Sequence, residues 1–450
     1  MRKRFDLAVL GTGAAASTVA SQCRSAGWQV AIVDSRPFGG TCALRGCDPK
    51  KVLVGAGDLM DWLRRMQGKG VQGRGARIEW AELMKFKRSF TDPVPASREE
   101  SFRKAGIAAY HGRARFNGPN SVQAGEDVLE ASHILIATGA MPRKLNIPGE
   151  EFLTHSDQFL ELESLPKHIV FIGGGYISME FANVALRAGA RVTVLHRGER
   201  LLEGFDPDLV EQLTQKMRHV GASIHLRVEV TAIEKAGDRL VVRASTGGEQ
   251  HTFDANLVVH GAGRVPEIED LDLKATNVDA TEKGVKVNEY LQSPSNPTVY
   301  AAGDAAASGG PPLTPVAGYE GRIVAANLLN GNHVTASYSA VPTVAFTLPP
   351  LASVGLSERA AKERGLRFRT HREVTNDWYS SRRVAEETSG FKVLIEEGSD
   401  QILGAHLLGP HAEETINLFA LAMKSGTTAS NLRETIFAYP TLASDVQYMV

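Results

Sequence analysis

The residues best suited to chemistry lie in one segment, Gly39-Gly40-Thr41-Cys42-Ala43-Leu44-Arg45-Gly46-Cys47-Asp48-Pro49-Lys50-Lys51, which holds two of the chain's three cysteines. Cys42 and Cys47 are five positions apart. On a regular helix their Cα atoms would stand roughly 8–9 Å apart, beyond the about 4.4–6.8 Å that a disulfide spans. A reversible dithiol–disulfide couple therefore needs a distorted helix, and Gly46 supplies the freedom for it. Pro49 suits a helix start just beyond. A zinc site would need two further ligands, and no His-x-x-x-His pair occurs. Cys23 lies among Val19, Ala20 and Ala26 and reads as core. Two unrelated buried cysteines are the plainer alternative, and the flanking glycines argue against it.

A glycine fingerprint precedes this segment and recurs later. The apolar run 7–10 leads into Gly11-Thr12-Gly13-Ala14-Ala15-Ala16, then a helical stretch over 14–26, then a strand over 29–33 ending at Asp34, 23 residues after Gly11. In this order the glycines allow a tight turn and close approach of backbone to a pyrophosphate. The helix N-terminus offers N–H groups, and the acid can accept from ribose hydroxyls. The order returns at 168–172, Gly173-Gly174-Gly175-Tyr176-Ile177-Ser178, a helix to 188 and a strand over 191–195. The residue 23 after Gly173 is His196, with Arg197 next and Arg200 nearby. An acid suits an unphosphorylated ribose and basic groups suit a 2′-phosphate. Gly11, Gly13, Ala14 and Asp34 thus point to the adenosine of FAD or NAD. Gly173, Gly175, Tyr176, Ile177, His196, Arg197 and Arg200 point to NADP, with NAD as the alternative. A second repeated signature, the strand 134–136 running into Ala137-Thr138-Gly139, has its counterpart in 257–260 followed by Gly261-Ala262-Gly263-Arg264. Such small-residue turns let backbone pass close to a cofactor or a neighbouring strand.

The chain has 450 residues, enough for two to four domains. Hydrophobic residues at 43% and charged residues at 22% exclude a disordered chain or a disulfide-dense scaffold. With a net charge of −1 and no long basic run, nucleic acid is excluded as the main partner. No apolar stretch is long enough to span a membrane, and the apolar run near the start is too short for a signal peptide. A cytoplasmic location is expected, where a close cysteine pair reads as redox or metal chemistry and not as a staple.

Gly-Gly-Thr-Cys42-x-x-x-x-Gly-Cys47-x-Pro-Lys-Lys resembles the redox-active segment of the class I flavoprotein (pyridine nucleotide-)disulfide oxidoreductases, the group of glutathione reductase, mercuric reductase and dihydrolipoamide dehydrogenase. The resemblance runs the length of the chain through Gly-Gly-Gly-Tyr176-Ile177-Ser-Met-Glu180, Tyr300-Ala-Ala-Gly303-Asp304, Leu313-Thr314-Pro-Val-Ala317, Val341-Pro-Thr-Val-Ala-Phe-Thr and Ala352-Ser-Val-Gly355-Leu. It implies an α/β fold with two Rossmann-like dinucleotide-binding domains, for FAD and NADP, and a C-terminal α+β dimerisation domain. The implied bounds are 1–148 and 273–335 for the FAD domain, 149–272 for the NAD(P) domain, and 336–450 for the interface of a homodimer.

The resemblance also implies roles. Cys42 and Cys47 would form the redox disulfide, with Cys47 toward the flavin and Cys42 as the interchange thiol. Lys50, or Lys51, would pair with Glu180 near the flavin. Tyr176 would cover the flavin until nicotinamide arrives. Asp304 would bind the ribityl chain, and Thr314 and Ala317 would lie by the pyrimidine edge. Gly40, Thr41, Gly112, Ala114, Thr138, Gly139, Gly263, Arg264 and Gly303 would line the dinucleotide sites. In the implied reaction hydride passes from NADPH via FAD to the cysteine pair, and electrons go on to a small disulfide or other thiol-reactive acceptor. A metal-ion reductase of the mercuric type, or a quinone reductase, is the alternative.

Three departures bear on the acceptor. The family's C-terminal His-Pro-Thr-x-x-Glu is Tyr439-Pro440-Thr441-Leu442-Ala443-Ser444 here. With a reference pKa of about 10, Tyr439 can donate a hydrogen bond at neutral pH but cannot shuttle protons as imidazole does. The serine and arginine of the glutathione reductases' first fingerprint helix are Ala14 and Ser21, which removes a carboxylate clamp. Asp48, beside Cys47, stands where the family has an apolar residue. A carboxylate at a sulfur raises the thiol pKa, so Asp48 is expected to turn away or to pair with Arg45 or Lys51. In the C-terminal region, strands are expected near 391–395 and 402–408. A helix over 413–424 would present Ile416, Phe419, Ala420 and Met423 on one face, and that face is expected to serve the homodimer.

Overall fold

A computed structural model describes residues 2–450. By packing, the chain divides into two compact units. The first holds the chain up to Pro49 with Phe86–Arg143 and Arg264–Tyr338; the second holds Lys50–Lys85, Lys144–Gly263 and Ser339–Val450.

The first unit is built on a parallel sheet. Arg2–Leu10 lies between Val30–Asp34 and Asp127–Ile136, with Ala108–His111 and Val299–Ala301 outside them. Ser121–Ala124 and Ala114–Gly118 extend the sheet as an antiparallel meander. Successive side chains of a strand alternate between faces. Leu7 and Val9 accordingly pack on Ala15, Ala16, Val19, Ala20 and Cys23 of the helix Ala14–Ser25. Ala8 and Leu10 pack on the opposite core with Phe116 and Val122. Cys23 is fully buried, and burial alone pushes its thiol up to about 12, which makes it inert core.

The second unit repeats the theme with four parallel strands in the order Ser223–Leu226, Arg191–His196, His168–Ile172, Leu257–His260. An antiparallel meander of Glu229–Ala236, Arg239–Thr246 and Glu249–Ala255 follows the last of the first three in sequence. The C-terminal segment forms a five-stranded antiparallel sheet ordered Thr343–Ala345, Leu351–Gly355, Ile402–Leu408, Gly390–Glu396, Phe368–Val374. The helix Ala412–Ser425 lies on this sheet.

One expectation changes. Ile416 and Phe419 are fully buried against Ala352, Val354, Phe391 and Leu407, so that helix face covers its own sheet instead of waiting for a second subunit. The exposed apolar residues of this region are others: Val374, Tyr379, Leu421, Ile436, Tyr439 and Tyr448.

Candidate redox and dinucleotide sites

The two fingerprints fold alike because their first glycines meet the same obstacle. Gly11 has φ +108° and Gly173 has φ +106°. A Cβ on Gly11 would stand 2.3 Å from the Ala137 carbonyl oxygen, and one on Gly173 would stand 2.3 Å from that of Gly261. Each fingerprint is therefore wedged against one copy of the second repeated signature. In the first unit the cysteine segment closes on this turn. Gly40, at φ +71°, lets the chain come so near that a Cβ would lie 2.5 Å from Gly13 Cα. The buried Thr12 hydroxyl ties the two together, accepting from Gly39 N–H at 3.1 Å and donating to Asp34 Oδ2 at 2.6 Å.

The cysteines sit at a break between helices. Gly40–Arg45 ends at Gly46, with φ −146° and ψ −111°, and Cys47–Met66 begins immediately after. Cys42 is hydrogen-bonded to Cys47 across this break. The Thr314 hydroxyl, at the start of the helix Thr314–Asn330, lies 3.5 Å from Cys47 Sγ. Asp48 lies by the other cysteine of the pair. Cys42 Sγ donates to Asp48 Oδ1 at 3.9 Å, because the helix restart swings this first-turn residue back toward the preceding helix. The hydrogen bond with Cys47, then burial, then the Cys47 and Asp48 charges push the Cys42 thiol up, against the opposing Thr314 hydroxyl. The Thr314 hydroxyl thus acts at both sulfurs, and the Asp48 carboxylate lies at Cys42.

Three features of the first unit fit a flavin dinucleotide. Gly13 has open space where a Cβ would point, and it begins the helix Ala14–Ser25 with no side chain capping the N–H groups. Thr138 Oγ1 is buried without a hydrogen-bond partner, beside Gly139 at φ +78°. Loss of water raises the Asp304 carboxyl above the usual range, with the Arg264 charge opposing; ligand hydroxyls would relieve that cost. Arg264 itself donates to the Ala140 carbonyl. Gly112 N–H donates to the Asp34 carbonyl at 2.9 Å, and Ala114 opens the next strand. Thr41 is exposed, and Ala317 is half-buried in the first turn of the helix Thr314–Asn330.

Sequence reasoning missed Glu320. It is almost fully buried on that same helix and accepts from Gly303 N–H at 2.6 Å, Ser308 Oγ at 2.5 Å and Tyr338 OH at 2.6 Å. Its one legible signal is its position three residues after Ala317, on the same helical face.

In the second unit Lys50 Nζ donates to Glu180 Oε1 at 2.8 Å, and the same oxygen accepts from Phe346 N–H at 2.9 Å. Lys51 takes a different partner, Glu413 at 3.7 Å. Tyr176 and Ile177 open the helix Tyr176–Arg187 after the uncapped Gly175. The Tyr176 hydroxyl is 2.7 Å from Thr343 Oγ1, and burial raises its phenol pKa. At the end of Arg191–His196, both His196 ring nitrogens and Arg200 Nε are buried without hydrogen-bond partners. His196 Nε2 is 3.5 Å from Glu203 Oε1, a charge contact only if the ring is protonated. Arg197 is exposed. Unsatisfied buried nitrogens beside an exposed guanidinium fit a phosphorylated ligand. Gly263 has φ +107°. Tyr439 is 77% exposed.

Residues 5–321 match the pyridine nucleotide-disulphide oxidoreductase family, and residues 341–450 match the family's dimerisation domain. A glutathione reductase of Burkholderia cepacia is 32% identical over 442 residues, 98% of this chain and 97% of its own. A mercuric reductase of Bacillus cereus is 32% identical over 455 residues, 99% of this chain and 71% of its own. A dihydrolipoyl dehydrogenase of Chlamydia muridarum is 32% identical over 458 residues, 98% of this chain and 95% of its own. Among solved structures, the Cu(II) complex of the HOCl-induced flavoprotein disulfide reductase RclA from Escherichia coli superposes with a TM-score of 0.89, at 25% identity over 99% of both chains.

The chain belongs to the pyridine nucleotide-disulphide oxidoreductase family. It is an α/β oxidoreductase of a family that uses FAD and NAD(P)H, and its dimerisation domain supports a homodimer. Three relatives of equal identity carry three different activities in their names, so identity does not choose the acceptor. Among the described residues no helix is long and apolar enough to cross a membrane.

Proposed function

We propose that this protein is an FAD-dependent, NADPH-oxidising reductase whose electrons leave through the Cys42–Cys47 dithiol to a small disulfide or other thiol-reactive acceptor. The observation that carries the reading is the cysteine pair itself, hydrogen-bonded across a helix break with Thr314 Oγ1 3.5 Å from Cys47 Sγ. When bound, FAD supplies two-electron exchange between a nicotinamide and a sulfur pair. Gly11, Gly13, Ala14, Asp34, Thr138, Asp304, Thr314 and Ala317 would hold it. Cys47, with a hydroxyl beside it, is the sulfur assigned to the flavin side, and Cys42 the one that meets the acceptor. Lys50 and Glu180 form the buried ion pair assigned to the flavin. His196, Arg197 and Arg200 would hold the 2′-phosphate that distinguishes NADPH from NADH. Residues 1–148 with 273–335 serve as the FAD domain, 149–272 as the NADP domain and 336–450 as the homodimer interface, in the cytoplasm.

The test is anaerobic NADPH titration followed by an acceptor screen. The screen takes organic disulfides, a quinone, Cu(II) and Hg(II), the last two because relatives' names mention them. A long-wavelength absorbance band on two-electron reduction and disulfide turnover that Cys42→Ser abolishes are expected. Quinone or metal turnover untouched by Cys42→Ser, with no disulfide turnover in the parent, would replace this reading with direct reduction of those acceptors.

A further inference from the structure

Cys42 holds its proton tightly and has one carboxylate at its sulfur. Its Sγ donates to Asp48 Oδ1 at 3.9 Å. Asp48 is exposed at the first turn of the helix Cys47–Met66, so a proton taken up there can exchange with water. A thiol attacks a disulfide as its thiolate, and a protonated Cys42 must pass its proton to a base as it attacks. A carboxylate accepts, and the carboxylic acid it becomes gives the proton readily to a basic thiolate.

We propose that Asp48 is a catalytic residue, the proton acceptor for Cys42 when that thiol attacks an organic disulfide and the donor to the first thiolate that leaves. The inference rests on the reading of the Cys42–Cys47 pair as the exit for electrons. In the first half, the Cys42 Sγ–H bond breaks and its proton moves to Asp48. A bond forms between Cys42 Sγ and one sulfur of the substrate RS–SR, the substrate S–S bond breaks, and the departing thiolate takes the proton from Asp48. In the second half Cys47, its proton given to water, attacks Cys42 Sγ. The mixed disulfide breaks, and the second thiolate is protonated from water. Two electrons leave the dithiol, two RSH form, and NADPH is the reductant that restores the dithiol.

The experiment compares Asp48→Asn and Asp48→Glu with the parent holoenzyme, using two probes. One is 5,5′-dithiobis(2-nitrobenzoate), whose leaving thiolate needs no proton. The other is bis(2-hydroxyethyl) disulfide, whose leaving thiolate is basic. Asp48→Asn removes the acceptor for the Cys42 proton with both probes, and with the second probe alone it also removes the general acid, help worth about 10²–10⁴-fold. Asp48→Asn is expected to lower the ratio of the two rates by roughly 10²-fold, and Asp48→Glu to restore most of it. The ratio does not depend on the fraction of active enzyme. An unchanged ratio would overturn the donor role, and a first probe that Asp48→Asn does not slow would overturn the acceptor role. Cys42→Ser separates the two readings: disulfide turnover that survives it removes the premise, whereas its loss with an unchanged Asp48→Asn ratio removes only Asp48.

Discussion

Glu320 Oε2 accepts the Gly303 N–H at 2.6 Å, and through it a buried carboxylate fixes the turn that presents Asp304. The other oxygen takes Ser308 and Tyr338, and burial, followed by the hydrogen bond to the carboxylate, raises the Tyr338 phenol pKa. Removing the acceptor leaves three donors unsatisfied, each worth about 1–3 kcal/mol when buried. Glu320→Ala is expected to lose bound flavin on dialysis and to melt below the parent as apoprotein, with Glu320→Gln between the two. Full flavin content and an unchanged melting temperature in Glu320→Ala would deny the carboxylate this role.

Lys50 and Glu180 make the same kind of argument with charge. Both side chains are mostly buried, at 13% and 5% exposure. Breaking such a pair from one side costs about 3–5 kcal/mol, because the remaining charge is stranded. Lys50→Met should therefore be strongly destabilising. Lys50→Met combined with Glu180→Gln should recover part of the loss, since the amide oxygen still accepts from Phe346 N–H. Denaturant midpoints of the three variants decide it, and additive losses would mean the pair is not coupled.

The legible parts of the fold were those governed by local rules. The fingerprint strands and helices follow from alternating burial and from glycines that no other residue could replace at Gly11 and Gly173. The helix predicted over 413–424 is observed as Ala412–Ser425. Which way its apolar face points was not legible, since an apolar stripe records burial but not the partner. Ile416 and Phe419 cover Ala352 and Leu407 of their own sheet. The contact of Asp48 with Cys42 was not legible for a related reason. Its aim depends on where a helix restarts after Gly46, and one residue on a helix turns a side chain by about 100°. Glu320 was invisible because its three donors come from loops far from it in sequence.

The proposed preference for NADPH is testable at the end of Arg191–His196. Exposed Arg197 and the half-buried Arg200 are the groups assigned to a 2′-phosphate. Hydrogen bonds to charged groups contribute about 1.5–3 kcal/mol each. Arg197→Ala and Arg200→Ala are each expected to raise KM for NADPH roughly 10–100-fold, from that energy at about 1.4 kcal/mol per decade, with kcat and KM for NADH nearly unchanged. Parallel changes with both nucleotides would assign the arginines to something other than the phosphate.

Acid stability should hang on Asp61. Burial pushes its carboxyl up, but the Arg187, Arg65 and Lys216 charges outweigh burial and hold it below the usual carboxylate range. The contacts are short: Arg187 Nη2 lies 2.9 Å from Asp61 Oδ1 and Arg65 Nε 2.9 Å from Oδ2. Because the folded value is depressed, the unfolded chain binds the proton more readily. The stabilisation is complete above the unfolded pKa of about 3.9 and is lost as pH falls toward the folded value. Asp61→Asn removes both the charge and the group that titrates. It should lower stability at pH 7, where the buried Arg187 is left without its carboxylate, and flatten the fall in urea midpoint between about pH 5 and pH 3. An acid limb as steep in Asp61→Asn as in the parent would place the titration elsewhere.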